Sequence, residues 1–406
     1  MNTKSILAAG AILSSFAASA LPGPQGLHFF NNHLTVKPYV SLEYTYDSNF
    51  DTTKHASSDS IFLVRPGANF DWKGERWNLT GDIFGTYHHY ARYNNSMKSA
   101  SFGERVNFDW TTSDVDQRGW SLVLGERYTY ISQNDSLTGD DGRGIWRDRE
   151  NVGVSGALEY RFTGRWHADV SGQYTWIDYK NDTGKYAPLY GWSSYTAGLG
   201  AGYMFTKWTD LLLSGSYSSH HHNRSPGRAR SDDHSESYTI HGGLGSRATE
   251  RIRYRALVGM SWLDYGGNDN VDRTWTYSLN ANWMLTRRLS WSLMGSSHYR
   301  PSERSYGRET QLFMLSTGLS WLTLADRMNL HANIAYHHEE IVYTDSYAGS
   351  FPDYDEDLVS IRIGANYYFN RWISVFANFT WQEEWSGKSE YDYSRYRGTV
   401  GLRLHY

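Results

Sequence analysis

Apolar and polar residues alternate with a period of two along most of this chain. Between positions 359 and 369, Val359, Ile361, Ile363, Ala365, Tyr367 and Phe369 share one face, opposed by Ser360, Arg362, Gly364, Asn366 and Tyr368. In 251–262, Ile252, Tyr254, Ala256, Val258, Met260 and Trp262 oppose Arg251, Arg253, Arg255, Gly259 and Ser261, and 275–285 repeats the pattern. Such a period sends alternate side chains to opposite sides of a sheet, and helical spacing fits none of these stretches. The alternation predicts about eighteen strands. They begin near Leu34, Ser60, Trp77, Lys98, Gly119, Glu150, Arg165, Trp192, Trp208, Ser235, Arg251, Arg273, Leu289, Gly307, Met328, Asp357, Trp372 and Asp392.

Two kinds of connection alternate between these strands. One is tight and rewrites a single motif, an apolar residue, Thr or Asn, a basic residue, then an apolar residue: FTGRW at 162–166, FTKW at 205–208, LTRRL at 285–289 and FNRW at 369–372. The other is longer and rich in Gly, Asp, Asn and Ser, as at 132–144, 220–233 and 345–356. Recurrence at this spacing marks a repeated supersecondary unit, here a β-hairpin. Alternating short and long connections predict an all-β, up-and-down antiparallel transmembrane β-barrel of about eighteen strands, with short periplasmic turns and longer extracellular loops. An exported propeller or solenoid also repeats at about forty residues. The strands here are longer than the five or six residues usual in soluble sheets.

Composition sharpens this picture. The chain is polar overall yet carries 16% aromatic residues, with 17 Trp and 32 Tyr. A barrel uses them on its lipid face and interfacial girdles, while its lumen takes the polar residues. Residues 1–20 read as a signal peptide: Lys4, the apolar stretch Ile6 to Phe16, and the small-residue site Ala18-Ser19-Ala20. Beyond them no apolar run is long enough for a transmembrane helix. Residues 21–33 are then a periplasmic segment or partial plug, and 34–406 the outer-membrane barrel. Cysteine is absent, which excludes disulfides and thiolate metal sites. A net charge of −4 gives no support to nucleic-acid binding. The C-terminal RGTVGLRLHY places Val400, Leu402, Leu404 and Tyr406 on one face and ends on an aromatic. This looks like the recognition strand that outer-membrane proteins present to the barrel-assembly machinery. The expected location is the cell outer membrane, in contact with its lipid and lipopolysaccharide, with both termini periplasmic.

The N-terminal stretches LTVKPYVSLEYTYDSNFDTT (34–53) and SIFLVRPGANFDWKGERWNLTGDIFGTYHHYARYNNS (60–96) resemble the β-barrel porin 2 family. The first ends in the corner Tyr46-Asp47-Ser48-Asn49, and the next strand carries Val64-Arg65-Pro66. The resemblance implies a porin-like outer-membrane barrel and names no solute.

Eighteen strands enclose an aqueous channel, so the polar face of each strand should line it. The inferred pore-lining arginines are Arg65, Arg105, Arg127, Arg251, Arg253, Arg255, Arg362 and Arg397, with Arg161, Arg395 and Arg403 on the same face. Glu43, Asp71, Asp82, Asp109, Glu159 and Asp169 stand against them. Fixed charge sets pore selectivity, so a basic excess favours anions. Cross-strand pairing that cancels the charges is the competing reading. The ladder Arg251-Arg253-Arg255 is the strongest candidate for an unbalanced patch. Inward aromatics Tyr39, Phe84 and Tyr368 are packing or a stacking track for sugars. The histidines 220–222 fall in an outer loop on this reading, and no spacing converges on a metal. No Ser, His and carboxylate are brought together, so neither catalytic residues nor a cofactor are expected. The function expected is passive diffusion of small hydrophilic solutes. A plugged or narrow surface barrel, acting as scaffold, adhesin or polysaccharide exporter, is the alternative, and homo-oligomerisation is left open.

Overall fold

The computed structural model describes residues 26–50, 54–92, 100–112, 118–131, 136–138, 144–146, 148–162, 165–180, 191–206, 208–222, 234–246, 251–264, 271–300, 310–341, 354–389 and 392–406. The expected signal peptide, 1–20, lies outside these residues.

The strands are β1 (Leu27–Phe29), β2 (Leu34–Asp47), β3 (Asp59–Lys73), β4 (Trp77–Tyr90), β5 (Ala100–Thr111), β6 (Gly119–Ile131), β7 (Ser136–Thr138), β8 (Gly144–Trp146), β9 (Asp148–Arg161) and β10 (Trp166–Lys180). They continue as β11 (Trp192–Thr206), β12 (Thr209–His222), β13 (His234–Gly245), β14 (Ile252–Asp264), β15 (Val271–Met284) and β16 (Leu289–Arg300). The last are β17 (Thr310–Thr323), β18 (Met328–Ile341), β19 (Tyr354–Tyr368), β20 (Ile373–Ser386) and β21 (Tyr393–His405). Eighteen of them, β2 to β6 and β9 to β21, pair antiparallel with their chain neighbours and form a closed barrel. Closure runs through β21 and β2, from Tyr39 opposite His405 to Asp47 opposite Arg397. The strand starts agree with the alternation to within three residues. Lys98 and Gly307 lie outside the described residues, and their strands begin at Ala100 and Thr310.

The tight connections explain their own motif. Thr286 Oγ1 accepts hydrogen bonds from the backbone N–H of Arg288 and Leu289, at 3.1 and 3.0 Å. Asn370 Oδ1 does the same for Trp372 and Ile373, at 2.8 and 3.0 Å, and Thr206 Oγ1 for Trp208 at 3.1 Å. A short polar side chain thus satisfies turn amides that no strand can reach, which is why Thr or Asn recurs there. Thr163, the fourth member, lies outside the described residues.

Exposure sorts the two faces. On β2, Val40, Leu42, Tyr44 and Tyr46 are exposed on the outer face, whereas Ser41 and Asp47 are fully buried on the inner one. Rings line the outside near the turn ends: Trp72 meets Trp77 at 5.6 Å, Trp120 meets Tyr160 at 4.3 Å and Trp372 meets Tyr406 at 5.3 Å. A second band, with Tyr44 on Phe62 and Tyr217 on Tyr238, runs nearer the loop ends. An apolar outer band between two aromatic girdles is the surface of a membrane-spanning barrel. Glu104 and Glu126 depart from this rule. Both face outward in mid-strand, between Phe102 and Val106 and between Leu124 and Tyr128.

The buried apolar residues Ala157, Ile177, Leu257, Leu263, Leu312, Leu322 and Ala335 point inward from β9–β18, and Phe50, Tyr90 and Tyr354 are buried at the loop-side end, so the core sits inside the barrel. Residues 26–33, the described part of the predicted N-terminal segment, pair through β1 with the start of β2, and Phe30 stacks on outward Trp72 at 5.9 Å. They occupy the turn-side rim. The expectation that His220–His222 form an outer loop is corrected: β12 runs through them, paired with β11 and, at His220 and His221, with Ser235 and His234 of β13. Continuous cross-strand hydrogen bonding overrides their loop-like composition. A small hairpin, β7 with β8, stands within the connection before β9.

Candidate functional site

The lumen divides into two unlike parts. Along β10–β17 the inward side chains in mid-strand are small or packed, including Ser194, Ser237, Ser261, Thr276 and Ser296, each less than a tenth exposed, and exposed charges such as Arg253 and Asp272 lie at the strand ends. The opposite arc, from β18 through β21 and β2 to β6, keeps the exposed polar groups Asn69, Arg105, Asp109, Arg127 and Arg362.

The predicted pore-lining residues fall as follows. Arg105 and Arg127 lie directly opposite each other on β5 and β6. Neither makes an ion pair with a described residue, although Asp82 of β4 faces Arg105 in register. Arg362 points into the lumen from β19, exposed and likewise without an ion pair. Arg65 lies over the Phe84 ring at 5.5 Å. Arg397 belongs to a cluster at the loop-side end, where buried Asp47 receives Arg395 and Arg397, the latter at 3.0 Å. Arg251 precedes β14, in the short connection, where its carbonyl accepts from Met284 N–H at 2.7 Å. Arg253 is the first inward residue of β14, near the turn-side rim. Arg255 is half-buried, and the charges of Asp169 and Glu159, four and five strands away, act on it across the lumen. The three residues of the ladder therefore occupy three different environments, while Arg105 and Arg127 bring two guanidinium groups together.

The loop-side mouth is built on the Tyr46-Asp47-Ser48-Asn49 corner. Asp47 accepts from the Asn49 N–H at 3.2 Å as well as from the two arginines. Ser48 is stitched to Tyr396 by N–H to carbonyl at 2.9 Å and by Tyr396 N–H to Ser48 Oγ at 2.7 Å. Asn49 Nδ2 donates to the Ser394 carbonyl at 3.2 Å. These bonds turn the chain inward, so that Phe50, 1% exposed, packs on Tyr90 with ring centroids 5.4 Å apart. His88 stacks on the same Tyr90 at 6.0 Å. Side-chain alternation could not reveal Phe50, because it lies past the end of its strand.

Tyr39 and Phe84 do point into the lumen, but they meet arginines: Arg403 lies 5.6 Å from the Tyr39 ring and 5.7 Å from that of Phe376. Tyr368 also lies on the inner face. Phe376 was missed, since alternation names a face and not a neighbour. Among the described residues, no group of three or more His, Asp or Glu could hold a metal ion.

No family model matches the chain, and no curated relative does. Among solved structures, the outer-membrane protein OpdK of Pseudomonas aeruginosa covers 91% of this chain and 99% of its own, at 12% identity and a TM-score of 0.42. OmpT, an outer-membrane protein of Vibrio cholerae, covers 93% and 99%, at 11% identity and 0.40. The ferric-catecholate import receptor Fiu of E. coli covers 94% and 82%, at 8% identity and 0.44. At these scores the likeness says nothing about what this barrel carries.

Proposed function

We propose that this protein is a porin-like channel of the bacterial outer membrane, allowing passive diffusion of small hydrophilic solutes with a preference for anions. The observation that carries the proposal is the directly opposed pair Arg105 and Arg127, exposed in the lumen and without ion pairs among the described residues. Like charges placed opposite each other on neighbouring strands cost stability, so a fold that keeps them has a use for their field. Fixed charge at a pore wall sets ion selectivity. The turns would face the periplasm and the longer connections the outside, with the strand ending at Tyr406 read by the assembly machinery. The resemblance of 34–96 to the β-barrel porin 2 family agrees with this reading. The barrel supplies radius and electric field and performs no covalent chemistry.

The alternative, a narrow or closed barrel, is favoured by Phe50, which turns inward at the loop-side end and is buried against Tyr90. Reversal potential and conductance across a planar bilayer under a salt gradient separate the two. An anion-leaning, steady conductance supports the channel. A folded barrel that conducts nothing supports the closed form, and a Phe50→Ala variant that then conducts would identify the closure.

A further inference from the structure

Three lumen aromatics lean over glycines on neighbouring strands. Tyr39 of β2 covers Gly67 of β3, Phe84 of β4 covers Gly103 of β5, and Phe376 of β20 covers Gly401 of β21; a Cβ at any of these glycines would collide with the ring above it. The missing side chains are what let the rings lie along the wall. Two guanidinium groups are seated on them, Arg65 over Phe84 and Arg403 between Tyr39 and Phe376. Both arginines share one row of the sheet, since Ser41 is the register partner of each. Their Cα atoms are therefore about 10 Å apart across two strand spacings.

Neither guanidinium makes an ion pair with a described residue, and the Nε–H of each is buried without an acceptor. Asp82 is the nearby carboxylate, and it accepts from the Tyr39 hydroxyl at 3.1 Å. Each Nε is buried against the wall, so the donors a ligand can meet are the terminal Nη groups. An arginine with a ring on one side only, as Arg65 has in Phe84, keeps two capacities free. Its N–H edge grips a carboxylate in a planar fork, and its open face stacks on a flat π system.

We propose that Tyr39, Arg65, Phe84, Phe376 and Arg403 form a binding site in the pore for small aromatic carboxylates. The inference rests on the channel reading above and names a solute class for it. The anion is held by Arg65 or Arg403, and the aromatic part lies against the guanidinium and ring faces. Charge alone would accept any carboxylate; the flat, ring-backed arginines add a preference for planar ones. Stacking and cation–π contacts of this kind contribute about 1 kcal/mol, or roughly fivefold in affinity.

The test uses the folded barrel in detergent, titrated calorimetrically with benzoate, cyclohexanecarboxylate and benzyl alcohol. Benzoate is expected to bind saturably, cyclohexanecarboxylate about fivefold more weakly, and benzyl alcohol not at all. Arg403→Gln should weaken benzoate at least tenfold. Phe376→Leu, which keeps every charge, should erase the difference between the two acids, and it decides the matter if Arg403→Gln fails to fold. Equal affinity of the two acids in the wild type, or no benzoate binding, overturns the site. Binding without bilayer conductance removes the channel reading and leaves the site standing; conductance without binding does the reverse.

Discussion

Replacing Arg105 and Arg127 together by glutamine tests the electrostatic reading most sharply. An anion passing about 6 Å from one guanidinium in water gains about 0.7 kcal/mol. At 0.1 M salt the Debye length is about 10 Å, which reduces this to about 0.4 kcal/mol. A cation loses the same amount, so each arginine shifts the anion-to-cation permeability ratio by about 0.8 kcal/mol, roughly fourfold. Removing both should lower that ratio about fifteenfold at 0.1 M. At 1 M, where the Debye length is about 3 Å, the change should shrink to about twofold. The assay is the reversal potential of the wild-type and double-variant barrels under a fixed salt gradient at the two ionic strengths. The two arginines are directly opposed on β5 and β6, so the substitution should also raise stability by about 0.2–1 kcal/mol in urea titration. An unchanged permeability ratio together with lower stability would refute the reasoning. It would mean that the pair is neutralised in place and holds the wall together.

The remaining predictions concern the frame around that pair. Asp47→Asn leaves Arg395 and Arg397 without their buried counter-charge, so it should cost about 3–5 kcal/mol in urea unfolding. Thr286→Ala removes the acceptor of two turn amides and should cost about 1 kcal/mol while leaving conductance unchanged. Glu126→Leu should stabilise the barrel in lipid vesicles by about 1 kcal/mol, because an outward carboxylate in mid-strand is unfavourable against hydrocarbon. Destabilisation would show that this face is covered by protein. Phe50→Ala removes the inward-turned ring at the loop-side end and should raise single-channel conductance with no loss of ion preference.

Much of this architecture could be read before any coordinates. Period-two alternation is local, set by which side of the sheet each residue faces, so it located the strands and assigned Arg65, Arg105, Arg127, Arg362 and Arg403 to the inner face. It could not say which inner residues meet. Asp47 and Arg395 are 348 positions apart and are joined only by barrel closure. The approach of Arg255 to Asp169 and Glu159, four and five strands away, depends on which parts of the closed barrel face each other across the lumen. The alternation also continues past a strand end, which is how Arg251 joined a ladder although it lies in a turn. Polar composition failed in the other direction at His220–His222, where pairing with β11, and at His220 and His221 also with β13, keeps a hydrophilic run in the sheet. The recurring Thr and Asn of the turns were visible as a pattern, but their reason, the capture of two free amides, needed atomic distances.

The central claim is that the arginine-bearing arc of the lumen is open to ions. Its most direct test is single-channel recording of the folded barrel in a planar bilayer under a potassium chloride gradient. The account predicts stable conductance steps with a reversal potential on the chloride side. A demonstrably folded barrel that gives no steps, or steps that favour potassium, would contradict it.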